Sequence, residues 1–510
     1  MLLALTLAVS ITACGSQNKE TEEIHFSEED KSSDEAQSVK VEMEGASYIE
    51  LSDERITVDG DDVTTSPKEA VYAANDIIYY EEGKDFTYGE GTEADEHSKE
   101  EVDAHTVVHI TKPGTYVLSG KLSAGQIAVD LGEDAEDDPE AVVTLVLNGV
   151  DITCSVAPAV IFYNVYECGS DEEDGATKDV DTSAAGANVL LPDGSINHVR
   201  GSYVARIYKS VELNEEGTEV VDSKKLHKYD GAFYSKMSMN IDGEETESGV
   251  LNILAENEGL DSELHLTING GQINIVSGND GINTNEDNVS VTTINGGWLS
   301  IRVDGSTGEG DGIDSNGWLV INGGVVNVSA CSDSMDAGVD SDRGIHINGG
   351  TVIACGNMLD HISDSKQGYV VFTFSDKVKG GEEITLMKDQ ESHFVSMPND
   401  YTYLLISKAS FGEEGTYTLW KGDEQLSVVE TSGGGMMMPP GEFGGEQPGS
   451  FGGGPMSEDF GPGERPEMPA DFEPGRMPSG KGGFGELNLE NAKTEFEIKA
   501  GENMFIVVSK

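Results

Sequence analysis

The chain has 510 residues, of which 37% are hydrophobic, so it can bury a core in one long domain or several smaller ones. Its 95 acidic residues outnumber its 31 basic residues, giving a formal net charge of −64 at pH 7. This charge argues against nucleic acid as a partner and against electrostatic adhesion to anionic lipid headgroups, because both require a basic surface. An acidic excess is typical either of a solvated surface or of divalent cation binding.

The chain begins with an apolar run, MLLALTLAVSITA, over residues 1–13, followed by Cys14. Such a run is too short to span a bilayer but suits the apolar region of a signal peptide. The sequence Ile-Thr-Ala-Cys (11–14) is typical of the bacterial lipobox, in which the cysteine becomes the acylated N-terminus. The sequence therefore predicts a signal peptide over 1–14 and an extracellular protein held to the membrane only by a lipid on Cys14.

Four segments precede the most regular part of the chain. Residues 15–65 are rich in Glu, Asp and Ser, a composition typical of a flexible, disordered tether. Residues 110–120 and 142–150 alternate apolar and polar side chains and end in turn residues, as strands do. Residues 166–225 are polar and irregular, and we expect them to be an insertion into a domain that spans 66–368.

From residue 230 to residue 356 the chain repeats itself. Four Ile-Asn-Gly-Gly motifs begin at Ile268, Ile294, Ile321 and Ile347, at separations of 26, 27 and 26 residues. A fixed period in this range indicates a solenoid. The Leu-x-x-Leu-x-Leu pattern of leucine-rich repeats is absent, and the period-2 alternation excludes helical repeats. The sequence therefore predicts an all-β fold, a triangular parallel β-helix with three short strands per turn.

The alternation also assigns the inward face of each strand. The predicted inward stripes are Leu266/Ile268, Leu319/Ile321 and Ile345/Ile347; Ile273/Ile275, Leu299/Ile301, Val326/Val328 and Val352/Ala354; and Leu260, Ile282, Ile313 and Val339. The asparagines of the motifs should form one hydrogen-bonded column along the axis, and the paired glycines permit the positive φ of a tight corner.

Acidic residues flank the third strand of the repeat in two columns. The first column is Glu258, Asp280, Asp311 and Asp336, and the second is Asp261, Asn283, Asp314 and Asp340. Neighbours in a column lie about 4.8 Å apart, where like charges repel by about 0.9 kcal/mol in water and several-fold more near a protein surface. Ca²⁺, which prefers carboxylate, amide and carbonyl oxygens, would relieve this repulsion. These eight residues are the predicted calcium ligands, and the alternative is that the Asp-Gly pairs are ordinary turn formers.

Two outward residues could contact a ligand. Trp298 offers a ring that stacks on a sugar, and Arg302 can pair with a carboxylate, whereas the alternative for Trp298 is packing beneath a loop. No nucleophile elbow, HExxH, Walker or Rossmann motif occurs, so no catalytic residue is assigned. A calcium-assisted lyase would need a base such as Lys366, which otherwise is an ordinary surface lysine. Cys154, Cys168, Cys331 and Cys355 lack CxxC spacing, and their disulfide state stays open.

The C-terminal part changes in composition twice. Residues 369–431 contain further strands and are predicted to form a small β cap domain. Residues 432–485 are rich in Gly, Pro, Met and Phe, which is typical of a disordered segment. Residues 486–510 return to strand character, and we expect them to pack on the cap.

Several segments together resemble a known family. They are TKPGTYVLSG (111–120), VVTLVLNGVDI (142–152), DGAFYSK (230–236) and the Asn-Gly-Gly/Asp-Gly-Ile repeats. In this order they resemble the carbohydrate-binding β-helix lipoproteins of anaerobic Gram-positive bacteria over about residues 105–430. The resemblance implies a right-handed parallel β-helix similar to pectate lyases, with bound calcium and affinity for acidic plant polysaccharides such as polygalacturonate. The chain departs from the family in 166–225, in its tail, and in the altered motifs at 258–260 and 336–339.

These observations lead to one principal hypothesis and two alternatives. The principal one is a monomeric, lipid-anchored surface protein that binds a polysaccharide through Ca²⁺ without catalysis. The first alternative is a calcium-dependent polysaccharide lyase on the same scaffold. The second is a structural adhesin or spacer, in which calcium only stiffens the solenoid.

Overall fold

The structure, a computed structural model, describes residues 21–25, 35–214, 216–389, 391–412, 414–431 and 491–508. Within these ranges the protein is all-β, with one short helix, α1 (Lys99–Asp103), and two 3₁₀ turns, Glu133–Asp137 and Ala409–Gly412. None of the described helices is long and apolar enough to cross a membrane. The predicted signal peptide, Cys14 and the segment 432–485 lie outside the described residues.

The chain is ordered earlier than its composition predicts. The first strands are β1 (Thr21–His25), β2 (Ser47–Leu51), β3 (Thr57–Val58), β4 (Asp61–Asp62) and β5 (Val71–Ala74). Strand β2 pairs in parallel with residues 116–120, and its Ile49 and Leu51 are buried. The prediction of a disordered tether through residue 65 is therefore wrong in its second half. Alternating apolar residues in an otherwise acidic stretch are enough to add a strand to an existing sheet.

Two long strands open the repetitive part, and three ladders of short parallel strands follow from them. The long strands are β7 (Gly114–Leu122) and β9 (Val143–Cys154). The first ladder consists of β6 (Thr106–Ile110), β8 (Gly125–Val129), β10 (Val160–Phe162), β15 (Gly231–Ser235), β18 (Glu258–Ser262), β21 (Ile282–Thr284) and β24 (Ile313–Ser315).

The second and third ladders continue from the two halves of β9. The second consists of β11 (Ala187–Leu191), β16 (Met239–Gly243), β19 (His265–Ile268), β22 (Val291–Ile294), β25 (Trp318–Ile321) and β27 (Ile345–Ile347). The third consists of β12 (Ile196–Gly201), β17 (Val250–Ala255), β20 (Gln272–Ser277), β23 (Trp298–Val303), β26 (Val325–Ser329) and β28 (Thr351–Gly356).

The register of the ladders follows the repeat. Ile268 pairs with Ile294, Ile294 with Ile321, and Ile321 with Ile347, so the four Ile-Asn-Gly-Gly motifs occupy equivalent positions. All the predicted inward residues are at most 3% exposed. One strand per repeat joins each ladder, and the apolar stripes of the three ladders share one core.

The segment 166–225 is only partly an insertion. Strands β11 and β12 lie within it and pair in parallel with β16 and β17. Two parts of the segment lie outside the ladders. One is the loop before β11, and the other is an antiparallel hairpin of β13 (Val204–Leu213) and β14 (Val220–Tyr229). The sequence pattern hid β11 and β12 because the polar turn Pro-Asp-Gly-Ser (192–195) interrupts two short apolar alternations.

The sheets as a whole are mixed, because antiparallel strands follow at the C-terminal end. These strands are β29 (Tyr369–Val378), β30 (Glu383–Lys388), β31 (Glu391–Ser396), β32 (Tyr401–Ser407), β33 (Gly415–Lys421), β34 (Glu424–Gln425), β35 (Ser427–Thr431), β36 (Phe496–Ile498) and β37 (Glu502–Val508). Strand β32 pairs antiparallel with β28 of the third ladder, and β37 pairs with β29. This C-terminal β domain has its own core, which includes Phe372, Phe411 and Phe505.

Candidate functional site

One acidic column follows the outward side of the first ladder. Asp261 on β18 pairs with Asn283 on β21, and Asn283 pairs with Asp314 on β24. A parallel bridge between Ile313 and Val339 continues the register, so Asp340 follows Asp314. Because inward and outward side chains alternate along each strand, burying Leu260, Ile282 and Ile313 aligns their polar neighbours on the opposite side. The structure thus brings all four residues of this predicted column together.

The other column holds three of its four predicted members. The amides of Gly259, Gly281 and Gly312 donate to the carbonyls of Asp280, Asp311 and Ala337, at 3.0, 3.1 and 3.0 Å. Ala337 rather than Asp336 therefore stands opposite Asp311, because the Asp-Ala-Gly-Val motif has one residue more than Asp-Gly-Ile. The carboxylate of Asp336 instead accepts a hydrogen bond from the amide of Gly310 at 2.6 Å. This corrects the predicted column at its last position.

Several oxygens of the two columns are buried without a hydrogen-bond donor. Glu258 and Asp261 are 3% and 0% exposed. Glu258 Oε1 accepts from Asn283 Nδ2 at 3.1 Å, and Asp261 Oδ1 accepts from Asn285 Nδ2 at 2.7 Å. Glu258 Oε2, Asp261 Oδ2 and Asn283 Oδ1 accept no hydrogen bond from any residue in the described ranges. A buried carboxylate oxygen without a partner carries a desolvation cost of a few kcal/mol, so this arrangement favours a cationic ligand.

The pKa values of the column carboxylates are raised, as expected for acids that are buried close together. Burial, with repulsion from Asp230, raises the pKa of Glu258 to about 8. Burial, with repulsion from Asp360, raises the pKa of Asp340 to about 8, and burial, with repulsion from Asp342, raises that of Asp314 to about 6. The same causes raise the pKa values of Asp261, Asp280 and Asp311. Every one of these carboxylates is harder to ionise than usual, first because it is buried and then because its neighbours are also acids.

Among the described residues, one lysine faces the columns. Lys228, at the end of β14, forms an ion pair with the buried Asp230. Although burial lowers the pKa of Lys228, attraction to Asp230 and Glu258 raises it above its usual value. The sequence prediction missed both Lys228 and Asp230, as well as Asp342 and Asp360. Asp230-Gly231 does repeat the Asp-Gly signal of the later turns, whereas nothing local to Lys228 indicates that its hairpin returns to this face.

Carboxylate and amide oxygens are the donors that Ca²⁺ prefers, so the residues of the two columns fit that ion in donor type. The unpartnered oxygens of Glu258, Asp261 and Asn283 are the observation that supports this fit. In the described part of the chain, no three Asp, Glu, His or Cys side chains converge into a closed metal-binding group.

The predicted ligand-binding pair lies on another face. Trp298 and Arg302 are outward residues of β23 in the third ladder, whereas the acidic columns belong to the first. Arg302 Nε donates to Asn399 Oδ1 at 3.2 Å, which joins the strand to the C-terminal β domain. Lys366 is exposed and does not join the columns; it adds slightly to the lowering of the pKa of Asp179, which comes mainly from a hydrogen bond with Lys178. The four cysteines in the described ranges are free thiols, three of them buried.

Stacked parallel strands with two aligned acidic columns define an all-β protein built from repeats. The chain belongs to the family of carbohydrate-binding domain-containing proteins, whose family model matches residues 104–386. No curated protein matches the chain. Among solved structures, the polysaccharide lyase-like protein from C. thermocellum, a gadolinium derivative, is similar with 20% identity and a TM-score of 0.33. The similarity covers 59% of this chain and 90% of that one.

Proposed function

We propose that the chain is an extracellular, lipid-anchored protein that binds an acidic polysaccharide, such as polygalacturonate, through Ca²⁺ without catalysis. The observation that carries this proposal is the set of buried, unpartnered oxygens in the acidic columns of a carbohydrate-binding family member. The ligands of the ion are Glu258, Asp261, Asp280, Asn283, Asp311, Asp314 and Asp340, with Asp336 at the edge of the set.

The scaffold of this function is a right-handed parallel β-helix. The order of the ladders supports a helix, since each turn of the chain adds one strand to the first, the second and the third ladder in that sequence. The right hand is the usual one for connections between parallel strands. Parallel strands about 4.8 Å apart keep equivalent side chains in straight columns, which is what a row of cation ligands requires.

Calcium has a specific task in this proposal. A chain with a formal net charge of −64 repels a polyanion, so binding requires a local reversal of charge. A cation held by the columns supplies that reversal, because a bound divalent ion is often the largest local charge in a site. The polymer's carboxylates then complete the coordination of an ion that takes six to eight oxygens.

Retention on immobilised polygalacturonate tests the proposal. We expect wild-type protein to bind in the presence of CaCl₂ and to elute in excess chelator. Substituting Asp261→Asn together with Asp314→Asn should weaken binding, whereas Glu54→Gln, an exposed acid outside the columns, should not. Retention that persists undiminished in excess chelator would refute the calcium bridge. Calcium-sensitive melting without retention on any glycan would identify a structural adhesin instead.

A lyase is the second candidate because Lys228 lies among the acidic residues, where a calcium-assisted lyase needs its basic group. This position makes Lys228, and not Lys366, the residue to test. Incubation of the calcium-loaded protein with polygalacturonate should produce no ultraviolet-absorbing unsaturated sugars if the protein only binds. Release of such products by the wild type, and its loss in Lys228→Met, would establish the lyase.

The lipid anchor has its own test. Cys14→Ser should move the protein from the detergent phase to the aqueous phase after expression with its leader in a bacterium that processes lipoproteins. Equal partition of the variant and the wild type would contradict an anchor at Cys14.

A further inference from the structure

The hairpin of β13 and β14 is fixed to the first ladder at the end where β14 closes. The ring of Tyr229, the last residue of β14, meets the rings of Tyr163 and Tyr234 edge-on, with ring centroids 5.6 and 5.1 Å apart. Tyr234 pairs in register with Asp261, so it stands in the same row as the column of Asp261. The residue before Tyr229 in the chain therefore lies where this acidic column begins.

That residue is Lys228, and more than one acid attracts it. Its ammonium group pairs with Asp230, whose side chain is only 8% exposed, whereas the side chain of Lys228 is 37% exposed. Burial acts to lower the pKa of Lys228, but the charges of Asp230, Glu258 and Asp261 raise it. The lysine is thus held by one ion pair within the field of several buried carboxylates, and part of it remains in contact with solvent.

The ion pair does not satisfy the acids that lie beside it. Glu258 Oε2 and Asp261 Oδ2 accept no hydrogen bond from any part of the chain that the structure describes, Lys228 included. Arg206, on β13, acts on Asp230 from a greater distance and forms an ion pair with Glu90 at 3.8 Å. Lys228 is therefore a partial counter-ion, which offsets one negative charge and leaves oxygens at this end of the columns for another cation.

Two cations at one cluster of acids oppose each other. A divalent ion held by Glu258 and Asp261 would lie close to the ammonium group of Lys228, and like charges repel more strongly where burial lowers the effective dielectric constant. The carboxylates are fixed by the strands that carry them. Lysine, in contrast, carries its charge on a flexible four-carbon stem, so its ammonium group can move into solvent while the backbone stays in place.

We propose that Lys228 is a tethered cation that competes with Ca²⁺ for the Glu258 and Asp261 end of the acidic columns. In the absence of calcium its ammonium group limits the repulsion among the buried acids. When the ion binds, the ammonium group moves into solvent, so Lys228 sets the calcium concentration at which this end of the columns fills. This inference rests on the calcium binding proposed above and adds the residue that regulates it.

Calcium titration of four variants tests this competition. Lys228→Met removes the tethered cation, and Asp230→Asn removes its ion-pair partner and leaves the ammonium group to the remaining acids. A double variant combines the two substitutions. Lys236→Met is the matched control, since the side chain of Lys236 is 45% exposed and pairs with Glu136. Isothermal titration calorimetry measures the affinity for Ca²⁺, and thermal melting establishes that each variant folds.

We expect Lys228→Met to bind Ca²⁺ about tenfold more tightly than the wild type, with Lys236→Met unchanged, because one competing positive charge is gone. Asp230→Asn should bind Ca²⁺ more weakly than the wild type. Removing the lysine should raise the affinity more in the Asp230→Asn background than in the wild type, because the ion pair no longer holds the ammonium group away from the site.

Amine labelling tests the movement of Lys228 in the wild type, without any substitution. The protein is acetylated with a limiting amount of N-hydroxysuccinimidyl acetate, in CaCl₂ and in chelator at equal ionic strength. Mass spectrometry then measures the acetylation of each lysine. Lys228 should react several-fold faster in CaCl₂, because its ammonium group is then in solvent, whereas Lys236 should react at the same rate in both.

Tighter calcium binding by Lys228→Met together with faster labelling of Lys228 supports the inference, as does calcium binding by Lys228→Met where the wild type binds none. Affinity that is unchanged or lower in Lys228→Met, or labelling of Lys228 that does not respond to calcium, would overturn the inference and leave the calcium site itself intact. Absence of calcium binding in the wild type and in Lys228→Met alike would refute the calcium site, and the inference with it.

Discussion

Asp261 and Glu258 bring carboxylates into the interior of the protein, and each leaves one oxygen without a donor. Burial raises their pKa values most, neighbouring acids raise them further, and Lys228 acts in the opposite direction. In the proposed function a cation stabilises the folded state at this site. Its removal then leaves repulsion among groups that cannot move apart without breaking the ladder.

Asp261→Asn tests this argument directly. In excess chelator at pH 7 the substitution should raise the free energy of unfolding by about 1 to 3 kcal/mol, because it removes a carboxyl group whose raised pKa makes folding costly at this pH. It should also reduce the additional stability that CaCl₂ confers. Urea unfolding with and without calcium measures both effects. Glu54→Gln is the control, and a loss of stability in chelator would show that Asp261 is not repelled by its neighbours.

His265 determines part of the pH dependence of stability. Its Nδ1 accepts from the amide of Val291 at 3.1 Å, and burial lowers its pKa to about 4. The unfolded chain, with a histidine pKa of about 6.5, takes up the proton first as the pH falls. Neutral His265 therefore contributes fully to the free energy of unfolding above about pH 6.5. This contribution, ~3 kcal/mol, is lost as the pH falls toward 4.

We expect His265→Gln to flatten the dependence of unfolding free energy on pH over this range. The buried carboxylates titrate in the opposite sense, since their pKa values are raised, so the comparison is between the slopes of the variant and the wild type. Urea unfolding at several pH values between 4 and 7 provides those slopes. His361→Gln, at an exposed histidine, is the control. Equal slopes in wild type and His265→Gln would exclude His265 as the titrating group.

At the scale of the element, each turn is joined to the next by more than its backbone. The motif asparagines form a chain of hydrogen bonds in which Asn295 Nδ2 donates to Asn269, Asn322 to Asn295, and Asn348 to Asn322, at 2.8, 2.9 and 2.9 Å. Asn269 in turn donates to Asp242 at 2.8 Å. This column keeps the corners of successive turns in register.

Position within the asparagine column decides the cost of a substitution. Asn295→Ala removes two of these hydrogen bonds and should destabilise the protein by about 2 kcal/mol, whereas Asn348→Ala, at the end, removes one and should cost about 1 kcal/mol. Denaturant unfolding of the two variants makes the comparison. Equal losses would mean that the column does not act as a chain.

The second glycine of the Ile-Asn-Gly-Gly motif is favoured by its backbone conformation and by the lack of space for a side chain. Gly324 has a φ of +78°, and an added Cβ would lie 2.8 Å from the carbonyl oxygen of Gly297 on the preceding turn. Gly308 also has a positive φ, of +99°, but has open space around it. Gly324→Ala should therefore destabilise by about 3 kcal/mol and Gly308→Ala by about 1 kcal/mol, as measured by thermal and urea unfolding. A similar loss in both would mean that backbone conformation alone sets the cost.

At the scale of the whole molecule, the net charge of −64 makes stability sensitive to ions in two ways. Any salt screens repulsion between exposed charges, with a screening length of about 10 Å at 0.1 M. An ion that binds the columns adds stability through its affinity for the folded state alone. The two effects separate when different salts are compared at equal ionic strength.

We expect the melting temperature to rise in NaCl and to rise further, by about 5 °C or more, in CaCl₂ of the same ionic strength. MgCl₂ should have a smaller effect than CaCl₂, because Mg²⁺ demands octahedral geometry and retains its water. Scanning calorimetry provides the three curves. If CaCl₂ and NaCl coincide, the acidic columns are turn formers that bind no calcium.

The sequence alone determined the repeating part of the molecule. Its period predicts the register of the ladders, and its alternation predicts which residues face the core, because both depend on the local geometry of a strand and its turn. The acidic columns follow from the same two rules. Their prediction failed only at Asp336, where one additional residue displaces the carboxylate from the register.

Tertiary structure decided what lies over each face. Lys228 lies beside the acidic columns because the hairpin that carries it folds back onto them. Arg302 donates a hydrogen bond to Asn399, which lies 97 residues further along the chain. The order of residues 47–51 likewise depends on pairing with a strand far along the chain. Contacts of this kind have no local signature, since they arise when distant segments bury their apolar sides against a surface that exists only after the turns have stacked.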